Sequence, residues 1–321
     1  MKRFWIVVLF LLLGAAHAPG QDTSAEVPFP KDLIVMLPKD GSVTMEWIAA
    51  PLSAAEVSKA AMRDIVFRID HKNNMWIGYN QKYLANLGSE LNFSLGRTVR
   101  DFLFLDDGEL FIASETALGF IPPFNNKETL ALDKGIPVFP FQPLCSLPLN
   151  QCVLAPNGRG SVYIYGFDPA VKAYAVYELL YEENKAYDKG KKTIKGWGKV
   201  FLSTDKISAV VVSQGNTYVA EGRTVFKIIP GKPEPAIAFV HPREKITGLA
   251  ASLEGGIFYA TNSGIGLSKN GMSLEFMKYP SAQMVQQEKA LYILLPDCLG
   301  VLKLDSIDNF IKKKQSVARK E

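Results

Sequence analysis

Carboxylates gathered at turns are the residues of this chain best suited to chemistry. Asp106, Asp107 and Glu109 crowd one turn, and Glu221, Glu254 and Asp297 stand at or near turns in comparable settings. If those turns faced one opening, several carboxylates together would hold a hard cation such as calcium. Asp also favours hairpin turns for conformational reasons alone. On that reading no metal ligand and no catalytic residue is assigned, and Ca2+ is the sole cofactor left to consider.

Other chemistries have less to work with. Apart from His17 near the amino terminus, the histidines are His71 and His241, both in loop-like settings far apart in sequence. A zinc site needs two or three converging ligands, and no paired histidine motif supplies them. Both histidines read as surface turn residues. No G-x-S-x-G presents a nucleophilic serine. Cys145 and Cys152 are separated by Ser-Leu-Pro-Leu-Asn-Gln, short enough for a local disulfide, with Cys298 left over. The alternative is three buried free thiols. Asn92-Phe93-Ser94 fits a glycosylation sequon, meaningful in a eukaryotic host.

The elements that must position these groups show through a recurring aromatic. Trp76, Phe111, Tyr163, Tyr218, Phe258 and Tyr292 each come just after a turn-like patch and sit among β-formers, at steps of 35, 52, 55, 40 and 34 residues. Those steps match or slightly exceed the period of a four-stranded propeller blade. One ring per blade at one strand position is what packing between adjacent sheets requires, each burial being worth about 2–3 kcal/mol.

Three copies read plainly as antiparallel meanders. Phe102 to Leu105 turns at Asp106-Asp107-Gly108 into Leu110 to Ala113. Val210 to Val212 turns at Gln214-Gly215-Asn216 into Thr217 to Ala220, and Ile246 to Ala251 turns at Glu254-Gly255-Gly256 into Ile257 to Thr261. The last copy ends without a fourth strand. A closed ring avoids bare sheet edges, so Leu33 to Leu37 is expected to complete it from the amino-terminal side. The fold class is therefore all-β, a six-bladed propeller of four-stranded antiparallel blades closed by an N-terminal strand, over residues 21–305.

Two stretches interrupt the repeat. Pro122 to Leu149 holds six prolines and fits no regular strand well, and Tyr181 to Lys195 is charged and lysine-rich, reading as an exposed insertion. Ser53-Ala54-Ala55-Glu56 has capping-box spacing and predicts a helix into Val57 to Met62. Residues 306–321 read as a basic, frayed tail carrying Lys312-Lys313-Lys314 and Arg319-Lys320.

The amino terminus gives an address. Lys2 and Arg3 precede an apolar run of 13 residues, Phe4 to Ala16, and then small residues ending in Ala18-Pro19-Gly20, the layout of a secretory signal over residues 1–20. The competing reading is an uncleaved anchor. With Lys2 and Arg3 removed, the formal charge falls from +4 to +2, too small to argue for nucleic acid or an anionic membrane. No second run is long enough to span a bilayer. The expected location is secreted or periplasmic.

The strand-turn-strand cadence resembles the six-bladed propellers of the NHL, YWTD and gluconolactonase-like superfamily. Gly215 to Glu221 with Val225 to Ile228 after it looks like an NHL phrase, and Glu254 to Thr261 looks like its gluconolactonase-like cousin. The gluconolactonase group holds a divalent metal in Ser-Asn-Gly-Leu and Pro-Asp-Gly contexts that this chain lacks, so none of its site residues carries over. A complete ring without catalytic motifs implies a non-catalytic, exported binding or scaffold module for a protein, peptide or glycan, whose binding residues the sequence leaves unknown. The alternative is a metal-dependent hydrolase or lactonase using channel carboxylates.

Overall fold

Short turns between β-forming runs organise this chain, and the computed structural model describes residues 34–49, 65–86, 92–105, 108–121, 131–133, 135–139, 141–158, 160–181, 194–279, 283–295 and 298–319. Two strands precede the repeats, β1 (Ile34–Val35) and β2 (Thr44–Ala49). The first blade is β3 (Val66–Ile69), β4 (Met75–Tyr79), β5 (Tyr83–Asn86) and β6 (Asn92–Ser94). The second is β7 (Val99–Phe104), β8 (Leu110–Ser114) and β9 (Ala117–Ile121), then a hairpin of β10 (Leu132–Asp133) and β11 (Ile136–Pro137), then β12 (Gln142–Ser146). The third holds β13 (Asn150–Pro156), β14 (Val162–Asp168), β15 (Ala173–Tyr181) and β16 (Ile194–Ser203). The fourth holds β17 (Ile207–Ser213), β18 (Asn216–Glu221), β19 (Thr224–Ile228) and β20 (Ala236–Val240). The fifth is β21 (Ile246–Ala251), β22 (Ile257–Thr261), β23 (Ile265–Lys269) and β24 (Met272–Lys278), and the sixth β25 (Gln283–Gln287), β26 (Ala290–Leu294) and β27 (Cys298–Lys303), before the helix α1 (Ile307–Ala318).

Each blade is an antiparallel meander, and the first strands touch one another in a closed circuit, β3 to β7, β13, β17, β21, β25 and back to β3. These six strands surround the axis. Local chemistry sets the turns: Gln214 with Gly215 and Asn270 with Gly271 form two-residue connections in which both residues have positive φ, the primed turns that match strand twist.

Among the described residues the core divides into six apolar clusters, one between each neighbouring pair of blades. The six recurrent aromatics distribute one to each. Trp76 packs between the first and second blades, Phe111 between the second and third, and Tyr163 between the third and fourth; Tyr218, Phe258 and Tyr292 continue the series to the sixth and first. Phe258 is fully buried, whereas Tyr218 and Tyr292 are partly exposed.

Closure differs from expectation in detail. The fourth strand of the last blade is β2, paired with β27 from Thr44 against Lys303 to Ala49 against Cys298. Within the segment expected to do this, Ile34 and Val35 instead add a fifth strand outside β24 of the fifth blade. Both pairings satisfy a sheet edge, so hydrophobic pattern alone does not choose between them.

The carboxyl terminus also departs from the expected frayed tail. Ser306 accepts from the Asn309 N–H to cap α1, and Ile307, Phe310 and Ile311 are buried against the fifth and sixth blades. The basic residues Lys312, Lys313 and Lys314 share this helix with a buried apolar stripe, which the run of charges concealed. The proline-rich stretch holds a real strand, β12, which pairs with β9 despite Pro143 because an outermost strand leaves one side free of ladder bonds. The helix expected over Ser53 to Met62 lies outside the described residues, as do the leader and most of the insertion after Tyr181. Among the described residues no helix is long and apolar enough to cross a membrane.

Candidate binding cleft between the fourth and fifth blades

One buried carboxylate on a first strand holds three blades together. Asp101 on β7 is 2% exposed; both its oxygens take a hydrogen bond from Arg68 Nη2 on β3, each at 2.9 Å, and Oδ2 takes another from the Leu154 N–H on β13 at 2.8 Å. Three blades meet on one carboxylate. Burial pushes its pKa up, while Arg68 and the N–H donors of Leu154 and Phe102 pull it down.

The acidic candidates do not converge. Glu254 lies in the turn between the first and second strands of its blade and Glu221 at the turn between the second and third, so the meander sends them to opposite ends of the ring. Glu254 Oε2 accepts from the Ile307 N–H at 2.7 Å at the start of α1. Glu109 belongs to a first turn, where its carbonyl accepts from the Leu105 N–H. Asp106, Asp107 and Asp297 lie outside the described residues. Among the described residues no group of three His, Cys, Asp or Glu side chains could hold a metal ion.

The remaining candidates have structural neighbours. His71 is exposed and lies so close to Gly108 that a Cβ there would fall 2.6 Å from its Cε1. His241 is buried rather than on the surface: its Nδ1 accepts from the Glu244 N–H at 2.9 Å, and its ring meets Phe239 and Tyr259. Cys145 and Cys152 are free thiols rather than a disulfide, both in the apolar layer between the second and third blades. Burial pushes Cys145 up to about 11 and Cys152 higher. The Asn92 side-chain amide donates to Tyr79 Oη at 2.8 Å, and Ser94 is fully buried, so the sequon belongs to the packed edge of the first blade.

A different place has the features of a binding site. Between the fourth and fifth blades lies a cleft of about 320 Å³. One wall comes from the fourth blade, where Tyr218 and Lys227 are cross-strand partners and Phe239 stands on the outermost strand. The other wall is Tyr259, Ser268, Gly255, Gly256 and Gly271. Gly271 leaves space, since nothing stands within 4 Å of where its Cβ would be, whereas Gly255 lets the Gln214 side chain come close. Lys227 Nζ lies 5.9 Å from the Tyr218 ring centre, a cation–π distance. Lys269, also on the rim, is paired with Asp308 of α1 at 2.7 Å. Tyr259 Oη is hydrogen-bonded to Ser273 Oγ at 2.7 Å, and burial raises its pKa.

Nothing in the sequence marked this cleft, because Tyr218 is one of the repeat aromatics and the glycines read as turn residues. The signal available was the Gly255-Gly256 pair beside a blade interface. Chemically, the cleft offers aromatic faces, amides from Gln214 and Asn216, and a cation.

No protein-family model matches this chain, and no curated protein is similar to it in sequence. Solved structures are similar in fold. The calcium-binding protein regucalcin from Agrobacterium tumefaciens strain C58 superposes with a TM-score of 0.53 at 13% identity, covering 78% of this chain and 94% of that one. A catalytically inactive virginiamycin B lyase from Staphylococcus aureus with quinupristin gives 0.51 at 12% identity, covering 82% of this chain and 99% of that one. At such identities the likeness concerns the fold alone, which agrees with the expected six-bladed propeller.

Proposed function

We propose that this chain is an exported, non-catalytic propeller that serves as a binding module for a protein, peptide or glycan, with the cleft between the fourth and fifth blades as its binding surface. One observation carries the reading: a recess of about 320 Å³ lined by Tyr218, Phe239, Tyr259 and a half-buried Lys227, on strands joined by rigid primed turns. Aromatic faces beside amides and one cation suit recognition by stacking and hydrogen bonding. Export rests on Lys2, Arg3 and the apolar run after them, which direct the mature chain to a secreted or periplasmic location.

The test has two parts. Mature protein is screened against immobilised glycans and extracellular or periplasmic proteins, alongside Tyr218→Ala. Binding that the substitution weakens at least ten-fold supports the reading. A lactone and ester panel with calcium or zinc is run in parallel, and metal-dependent turnover would replace binding by hydrolysis.

A further inference from the structure

We infer that β20 is a docking edge to which an extended acidic peptide adds as a fifth strand of the fourth blade, with a carboxylate of the peptide reaching Lys227 in the cleft. The inference rests on the proposed binding role and names its partner. Outer edges elsewhere show how the chain treats such strands. β24 carries β1 on its outside, and β6 carries a parallel bridge from Ser94 to Val138 beyond it. Among the described residues β20 pairs with β19 alone.

The other uncovered outer strands carry features that discourage pairing. β12 contains Pro143 and a register shift, β16 carries charge at Lys195 and Lys199, and β2 carries Glu46 in an ion pair with Lys303. β20 reads Ala-Ile-Ala-Phe-Val, with neither charge nor proline. It is also unusually exposed, Ile237 to 65% and Val240 to 47%. An apolar, uncharged, exposed edge is the kind that extended peptides complete by main-chain hydrogen bonds.

Charge selects the partner. From Gly222 to Lys245 the sequence holds Arg223, Lys227, Lys232, Arg243 and Lys245 against Glu234 and Glu244. Glu244 is already engaged by Ser263 Oγ at 2.8 Å. Lys227 is half-buried, and no carboxylate lies within ion-pair distance of it among the described ion pairs. Its partner across the ladder on β20 is Ala236. A strand laid outside β20 sits about 4.8 Å beyond it, and the small Ala236 methyl lets a glutamate on that strand lean over toward the ammonium.

The test uses mature full-length protein and four fluorescein-labelled twelve-residue peptides monitored by anisotropy. One alternates threonine and glutamate, one alternates threonine and lysine, and two are the glutamate peptide N-methylated in one or the other register, at every threonine or at every glutamate. The glutamate peptide is expected to bind at least ten-fold more tightly than the lysine peptide, and one N-methylated register is expected to abolish binding. Ile237→Ser, at an exposed position, should weaken binding at least five-fold without moving the melting temperature. Lys227→Gln should erase most of the preference for glutamate over lysine.

Equal binding of the N-methylated peptide in both registers would overturn strand addition, and equal binding of acidic and basic peptides would overturn the charge assignment. Sedimentation showing that the protein dimerises through β20, with Ile237→Ser dissociating it, would give the edge to a second copy and overturn the peptide. If the glycan and protein screen succeeds while all peptides fail, the docking edge falls and the binding reading stands.

Discussion

The Arg68 guanidinium meets the Asp101 carboxylate through one nitrogen shared between both oxygens, each contact 2.9 Å long, across the boundary between the first two blades. Arg68 Nε also donates to the Phe102 carbonyl at 3.1 Å. The pair joins first strands whose sequences are 33 residues apart, and Leu154 on the third blade completes the acceptor's coordination.

Removing the cation alone should therefore be costly. Arg68→Ala leaves a buried carboxylate with backbone donors only, and the expected loss is about 3–5 kcal/mol. Urea unfolding of both proteins checks it. Replacement of Arg68 and Asp101 together by apolar residues is expected to cost less than Arg68→Ala by itself.

Asp70 holds the first turn of the first blade. It accepts from the N–H groups of Lys72 and Asn74, from the Asn74 amide and from Trp76 Nε1 at 2.9 Å. Asp70→Ala strands the buried indole N–H and should destabilise by about 1–3 kcal/mol. Thermal melting with indole fluorescence would register both the loss and the loosened ring.

Acid should unfold the protein from below about pH 4. Burial raises Asp70, but its hydrogen bonds from Asn74 and Trp76 outweigh that and hold it below 3.8. The Tyr177 hydroxyl lowers Asp168, and Thr261 and Ser263 lower Glu244 below 4.5. A folded-state pKa lower than the unfolded one stabilises the fold above the unfolded value, and this stabilisation disappears as pH falls through the folded value. Asp101, shifted upward, contributes with the opposite sign. Melting temperatures measured from pH 7 to pH 2.5 should fall at the acid end, and Asp70→Asn should flatten that fall.

The helix α1 is part of the core. Phe310 is fully buried and meets the Phe276 ring edge-on at 5.5 Å. Phe310→Ala should cost about 3–5 kcal/mol, and truncation after Asp305 should cost more. Differential scanning calorimetry of the two variants gives the comparison.

Thiol chemistry separates the two cysteines. In a Cys298→Ser background at pH 8, Cys152 should resist a thiol reagent and Cys145 should react far more slowly than a free thiol, since burial pushes it to about 11. Both should react at once in guanidinium. Rapid labelling of either in the native protein, or a melting temperature lowered by reductant, would contradict the assignment of two free thiols, Cys152 buried and Cys145 partly buried.

The strands at the centre of each blade were legible because their signals are local. Asp106-Asp107-Gly108, Gln214-Gly215 and Glu254-Gly255-Gly256 mark first turns, and an aromatic comes soon after each of them. The outer strands were not legible. β20 and β24 are exposed over much of their length, so neither alternation nor burial leaves a clear pattern. The same exposure that hid β20 makes it a candidate docking edge.

The amino-acid order by itself determined the meander and its sixfold recurrence, since turn conformations and the alternation of apolar residues are decided within a few neighbouring positions. Tertiary structure decided which amino-terminal strand closes the ring, that Arg68 finds Asp101, that Glu221 and Glu254 face opposite ends, and that the fourth and fifth blades leave a cleft before Lys227. Each of these depends on the meeting of segments far apart along the chain, where packing of whole blades selects one arrangement among several that local preferences allow.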